Sequence, residues 1–239
     1  MDKELITISE AAELLGVSVD TLRRWDEKGQ LTATRSEGGH RYYSKEQIEN
    51  YSKDLFRLAE NWVLNKTEIP NQFYCADSAI FNSRVVKMGM ELSQISDERI
   101  KKVFSLIVAM AGEIGNNSFD HNLGNWPDIP GIFFGFDLKK RCVILADRGQ
   151  GILQTLRKVK PELPNDSEAL IVAFTEIISG RAPEERGNGL KFVRKQIIKN
   201  EMKLIFKTGD AELEIFDETP LVIKKTNVPI RGCVALISF

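Results

Sequence analysis

Cysteine is scarce: Cys75, Cys142 and Cys233 are the three in 239 residues, and they lie far apart. That spacing suits neither a zinc knuckle nor a disulfide framework, and buried free thiols in a reducing compartment are expected. Long apolar runs are absent, so no membrane span is predicted. The opening Met-Asp-Lys-Glu lacks signal-peptide character, and a cytoplasmic protein is expected. An excess of either charge is missing too, with 33 basic against 34 acidic side chains and a net charge of −1. Any case for nucleic acid therefore has to be local. Histidine occurs twice, at His40 and His121. No internal repeat or low-complexity tract is present. What remains is an ordinary soluble composition, 42% hydrophobic and 28% charged, with room for one or two cored domains.

The chain is organised around Glu113 to His121, Glu-Ile-Gly-Asn-Asn-Ser-Phe-Asp-His. It ends an apolar run (Val103, Phe104, Leu106, Ile107, Met110) with helical spacing. Positions four apart share a helix face, so Glu113, Asn117 and His121 align and Asp120 falls beside them. Polar groups on the buried side of such a helix are costly unless satisfied. A polar helix end, with Asn117 and Asp120 turning the chain before Gly124, is the plainer alternative.

Two later stretches weigh against that alternative. Asp147-Arg-Gly-Gln-Gly151 follows the apolar strand candidate 142–146, and Gly187-Asn-Gly-Leu190 opens a helix candidate at 191–199. An acid at a strand end followed by glycines is how backbone is brought close to a nucleotide. Together these stretches resemble the GHKL ATP-binding superfamily of gyrases, chaperones, histidine kinases and MutL. Its N-box is matched by Glu113, Asn117 and Asp120, its first glycine box by Asp147, Gly149 and Gly151, and its second by Gly187, Gly189 and Leu190.

The resemblance covers about residues 75–239 and implies an α/β sandwich, a mixed sheet under a helical layer. It implies that Asn117 holds Mg²⁺, a hard cation suited to amide and phosphate oxygens. It makes Glu113 the catalytic base where ATP is hydrolysed. Asp147 accepts from the adenine amino group, and Gly149 and Gly151 allow close approach to ring and sugar. Gly187, Asn188, Gly189 and Leu190 present backbone N–H groups to phosphate at a helix N-terminus. Residues 152–186 form a lid with Ser179, Arg181 and Arg186 on the phosphate side, and Asn116 and His121 assist. A turn residue at Asp147, solvated lid arginines and a satisfied buried His121 are the bland readings.

The N-terminal part reads differently. Ser9 can cap a helix carrying Ala11, Ala12, Leu14 and Leu15, and Ser18 a second one that turns Thr21, Arg23 and Arg24 outward. A hairpin follows, Leu31–Arg35 and His40–Tyr43 around Glu37-Gly-Gly39. Residues 6–51 resemble the MerR-type winged helix, especially that of excisionases and insertion-sequence recombinases. The matching stretches are Ala11-Ala-Glu-Leu-Leu-Gly-Val-Ser18, Thr21-Leu-Arg-Arg-Trp25 and Gly38-Gly-His-Arg-Tyr-Tyr43. This implies DNA contacts from Thr21, Arg23, Arg24, Arg35, His40, Arg41 and Tyr42. Residues 1–50 hold seven basic against ten acidic side chains. Phosphate neutralisation is therefore weak, and a homodimer or a partner protein is needed for useful affinity. A winged helix that binds protein remains the alternative.

Ser44-Lys-Glu-Gln47 opens a helix to about Asn65 whose stripe (Ile48, Tyr51, Leu55, Leu58, Trp62) either dimerises or packs on the chain's own second domain. The expected organisation is α+β: a winged helix-turn-helix over 1–65, a linker over 66–73 and a GHKL-type domain over 74–239. The expected function is ATP-responsive, Mg²⁺-dependent DNA binding in transcriptional regulation. An anti-sigma-type serine/threonine kinase, or a recombination or phage-defence accessory, stands second. With both histidines inside the motifs, an autophosphorylating histidine kinase is disfavoured.

Overall fold

The computed structural model describes residues 4–15, 17–29, 31–65, 68–176 and 189–239, without the side chains of 49, 50, 52, 53 and 65. The fold is α+β. It begins with β1 (Leu5–Thr7), α1 (Ile8–Leu15) and α2 (Val19–Glu27). Thr7, rather than Ser9, caps α1: its hydroxyl accepts the Glu10 N–H at 3.3 Å while the Glu10 carboxylate takes the Thr7 N–H at 2.7 Å. Ser18 caps α2 as its type predicts, accepting the Thr21 N–H at 3.1 Å. β2 (Thr34–Arg35) and β3 (Arg41–Ser44) form the hairpin, and the small sheet runs β1-β3-β2. Leu15, Leu22, Trp25, Leu31 and Tyr43 close its core, so Leu31 is a core residue rather than the start of the strand.

Ser44 caps α3 (Lys45–Lys53), accepting the Gln47 N–H at 3.1 Å. The single rod predicted to Asn65 is broken at Asp54. That residue ends α3 and accepts the Arg57 N–H at 3.2 Å to begin α4 (Leu55–Asn65). β4 (Tyr74–Cys75) replaces the start of the helix predicted from Tyr74, and Asp77 caps α5 (Ser78–Ser93). Then come α6 (Glu98–Asn122), β5 (Ile132–Asp137) and β6 (Cys142–Asp147). The stretch read as irregular contains α7 (Gly151–Arg157), followed by α8 (Asp166–Thr175) and α9 (Gly189–Lys199). β7 (Lys203–Ile215) is one bulged strand where two are predicted, and β8 (Val222–Ser238) is the last element among the described residues.

The large sheet has the order β4-β5-β6-β8-β7, and all its pairings are antiparallel rather than mixed. Successive side chains on a strand point to opposite faces. Phe134, Val143, Leu145, Ala235 and Ile237 therefore pack with the buried faces of α5, α6, α8 and α9. Phe133, Ile144, Ala146 and Val234 join a second cluster with Leu55, Leu58, Ala59 and Trp62 of α4. The α4 stripe thus covers the chain's own sheet. Of the apolar positions predicted for α5, Val85, Met88 and Leu92 are buried, while Val86 and Met90 are 55% and 61% exposed. Among the described residues no helix is long and apolar enough to cross a membrane.

The α5–α6 contact leaves no room at Gly115, where an added Cβ would overlap the Phe81 ring. Overpacking of this kind costs about 1–3 kcal/mol. Gly115→Ala is expected to lower the urea midpoint accordingly, and an unchanged midpoint would contradict this packing.

Candidate functional site

The C-terminal half of α6 lies along the end of β6. Asp147, the last residue of that strand, is 3% exposed. The Ser118 hydroxyl donates to its Oδ2 at 2.8 Å, and the Gly149 N–H donates to its Oδ1 at 2.8 Å. Burial pushes the Asp147 carboxyl up, against the pull of hydrogen bonds from Ser118, Gly149 and Cys233. Beside it opens a small cleft, lined among others by Ile114, Asn117, Ser118, His121, Gly151, Leu190 and Phe206. α6, the turn after Asp147 and the start of α9 therefore meet at one cavity.

The turn after Asp147 is fixed by residues that the motifs do not contain. Asn122, buried at the end of α6, donates to the Ser118 carbonyl at 2.8 Å and accepts the Gln150 N–H at 2.8 Å. A Cβ at Gly149 would overlap the Asn122 amide, so that glycine answers to Asn122 rather than to a ligand ring. Gly151 has φ +78°, a left-handed conformation that glycine adopts without strain. Thr208, fully buried, accepts the Ile152 N–H at 3.2 Å and donates to the Gly232 carbonyl at 2.9 Å, pinning α7 to the sheet. Burial also pushes the Cys233 thiol well up, which leaves it a poor nucleophile at the cleft wall.

Other predicted positions sit less deeply than the helical pattern implies. Glu113 and Asp120 are exposed, and neither lines the cleft. Asn117 and His121 are half-buried and do line it. A Cβ at Gly189 would lie 2.5 Å from a Glu113 carboxylate oxygen and 3.3 Å from the Asn117 amide nitrogen, so these three come together at the rim. Asn116 is half-buried and does not line the cleft. Ser179, Arg181, Arg186, Gly187 and Asn188 lie outside the described residues.

In the N-terminal unit, Thr21 is fully buried rather than outward. Its hydroxyl donates to Glu68 at 2.5 Å, so this side chain is not placed to reach a DNA groove. Arg24 lies 3.7 Å from the other Glu68 oxygen, and Arg23 pairs with Asp20 at 2.7 Å. Arg35 and Arg41 both reach Asp26, at 2.9 and 2.6 Å. His40 is exposed in the hairpin turn, and Tyr42 is half-buried between Thr7 and Thr34. Glu68 had no sequence signal beyond being an acid in a polar stretch, and Asn122 none beyond being an amide near a helix end.

Residues 7–43 match the MerR family regulatory protein family. This part of the chain is a MerR-type helix-turn-helix domain. The chain is also 33% identical over 106 residues to the Type II methyltransferase M.Eco47II of Escherichia coli. That match covers 44% of this chain and 25% of the methyltransferase, so the chain spans about a quarter of its relative's length.

The raised Asp147 carboxyl has a measurable consequence. Its protonated form favours the fold, a contribution complete below its ordinary value of 3.8 and lost as pH climbs through the raised folded value. Asp147→Asn cannot ionise. The Tm of that variant minus the wild-type Tm is therefore expected to grow from acid to neutral pH, and a flat or shrinking difference would contradict the burial.

Proposed function

We propose that this protein is an ATP-responsive DNA-binding protein, a transcriptional regulator in which a GHKL-type pocket gates a winged helix-turn-helix. The carrying observation is the cleft that gathers Asp147, Asn117 and Leu190 on the same chain as a MerR-type domain. The residues present fit the group. Asp147 offers a buried acceptor for an adenine amino group, and Ile114, Leu190 and Phe206 offer apolar walls for the ring. Gly189 leaves space for backbone close to Glu113 and Asn117 at the rim.

When bound, Mg²⁺ would neutralise phosphate charge, with Asn117 as its amide ligand. Asp147 would select the base, and His121 would border the sugar side. Glu113, at the rim, would orient a water if ATP is hydrolysed. Arg23, Arg24, Arg35, His40 and Arg41 would face DNA phosphates and base edges, exchanging their present acidic partners for the duplex. Such a reader has little charge to spare and works best as a homodimer or with a partner protein.

The exposure of Glu113 supports a second reading, an anti-sigma-type serine/threonine kinase, because a partner's hydroxyl could reach a rim carboxylate. Phosphate transfer from labelled ATP to a protein co-purifying with the chain would favour it over the first.

A ligand that binds only the native state stabilises by about 2.7 kcal/mol at a hundredfold excess over Kd. ATP with Mg²⁺ is expected to raise Tm by roughly 5–10 °C in a chain of this size. Asn117→Ala is expected to retain a response to ATP while losing its dependence on Mg²⁺. No shift with ATP, in the presence or absence of Mg²⁺, would overturn the pocket reading. Footprints on selected DNA that are identical with and without ATP would overturn the gating.

A further inference from the structure

Arg148 lies inside the first glycine turn, between the cleft carboxylate Asp147 and Gly149. Alternation at the strand end sends the two side chains to opposite faces of the sheet. Asp147 faces the cleft, and Arg148 faces α4. Arg148 is 1% exposed; its Nη2 reaches the Asp128 carboxylate, and its guanidinium carbon stands 5.8 Å from the centre of the Trp62 ring. Its Nε and Nη1 find no hydrogen-bond acceptor among the described residues. A buried cation with two orphan donors is a costly arrangement in a dense interior.

Trp62 is 2% exposed and belongs to the helix that touches both halves of the molecule. On the sheet side, Glu60 of α4 pairs with Lys207 at 2.7 Å. On the other side, Asp54 joins α4 to α3, where the Tyr51 ring meets Trp25 at a tilt of 41° with centres 5.0 Å apart. Beyond its C-terminal end, Glu68 accepts from Thr21 in the first turn of the recognition helix.

We infer that Arg148 is the positioning residue through which occupancy of the cleft is passed, by way of Trp62 and α4, to the recognition helix α2. The inference rests on the nucleotide reading of that cleft. A ligand hydrogen-bonded to Asp147 displaces the turn that also carries Arg148. Any displacement that gives an orphan nitrogen an acceptor is favoured, and Trp62 follows because the guanidinium lies against its face. The Glu68 contact with Thr21 then loosens or tightens as α4 shifts, which changes how Arg24 is presented. The coupling runs through packed groups that join the glycine turn to α2: Arg148 on Trp62, α4, and Glu68 on Thr21.

The test uses the full chain and the Arg148→Lys, Arg148→Gln and Trp62→Phe variants. Nucleotide affinity and the ratio of DNA affinities with and without ATP are measured for each. The wild-type ratio is expected to be about fivefold or more in one direction. It should fall to about one in Arg148→Gln and Trp62→Phe and to an intermediate value in Arg148→Lys, with nucleotide affinity kept within about twofold. The double variant should lose nothing further. An undiminished ratio in any Arg148→Gln or Trp62→Phe protein that folds overturns the inference and leaves the cleft reading standing, as does a wild-type ratio of one with ATP bound. A wild-type chain that binds no ATP removes both.

Discussion

A carboxylate buried at the end of a central strand has to be answered by donors, and Ser118 and the Gly149 N–H answer Asp147. That requirement sets much of the rest. Ser118 can reach Asp147 only if α6 lies along the end of β6, and α6 lies there because Ile107, Met110, Ala111 and Ile114 fill the sheet's helical face. Asn122, one turn further on, then meets the glycine turn and holds its backbone. The cleft is what remains between α6, α7 and α9 once these contacts are made. In the proposed function a purine base adds a further donor to this carboxylate.

The same sheet explains how two units share one chain. Its strands are apolar on both faces, so a second layer is needed, and α4 supplies it. The helix that leaves the MerR-type domain is therefore part of the core of the larger unit. Acidic side chains meanwhile engage the small domain's arginines: Asp20, Asp26 and Glu27 from within it and Glu68 from beyond α4 hold Arg23, Arg24, Arg35 and Arg41. The Arg23–Asp20 and Arg24–Glu68 pairs are exposed on both sides and individually weak, whereas Arg35 and Arg41 share Asp26, whose side chain is 6% exposed. Specificity in such a reader would come from geometry more than from charge.

Much of this was legible in the residues. Alternation and apolar runs marked β5, β6 and α6, and glycine spacing marked the turn after Asp147. Ala11 to Tyr43 marked the helix-turn-helix and its hairpin. What stayed hidden depends on tertiary contact. Asp54 splits a rod whose stripe has unbroken helical spacing, because a capping aspartate outweighs a spacing pattern at one position. Thr21 has the spacing of an outward residue and turns inward because Glu68, 47 residues later, accepts its hydroxyl. Arg148 carries no role in the motif that contains it, yet it is among the most buried side chains. Glu113 shares the stripe of Asn117 and His121, and Asp120 falls beside it, yet both side chains are exposed and neither lines the cleft, a difference of depth that spacing does not carry.

The central claim is that the cleft beside Asp147 selects an adenine base. Isothermal titration of the full chain with ATP and, separately, GTP tests it most directly, because adenine presents a donor and guanine an acceptor at the position the carboxylate would meet. The account predicts one site per chain with ATP preferred by about tenfold or more, and loss of that preference in Asp147→Asn. Equal affinity for the two nucleotides, or binding of neither, would contradict it.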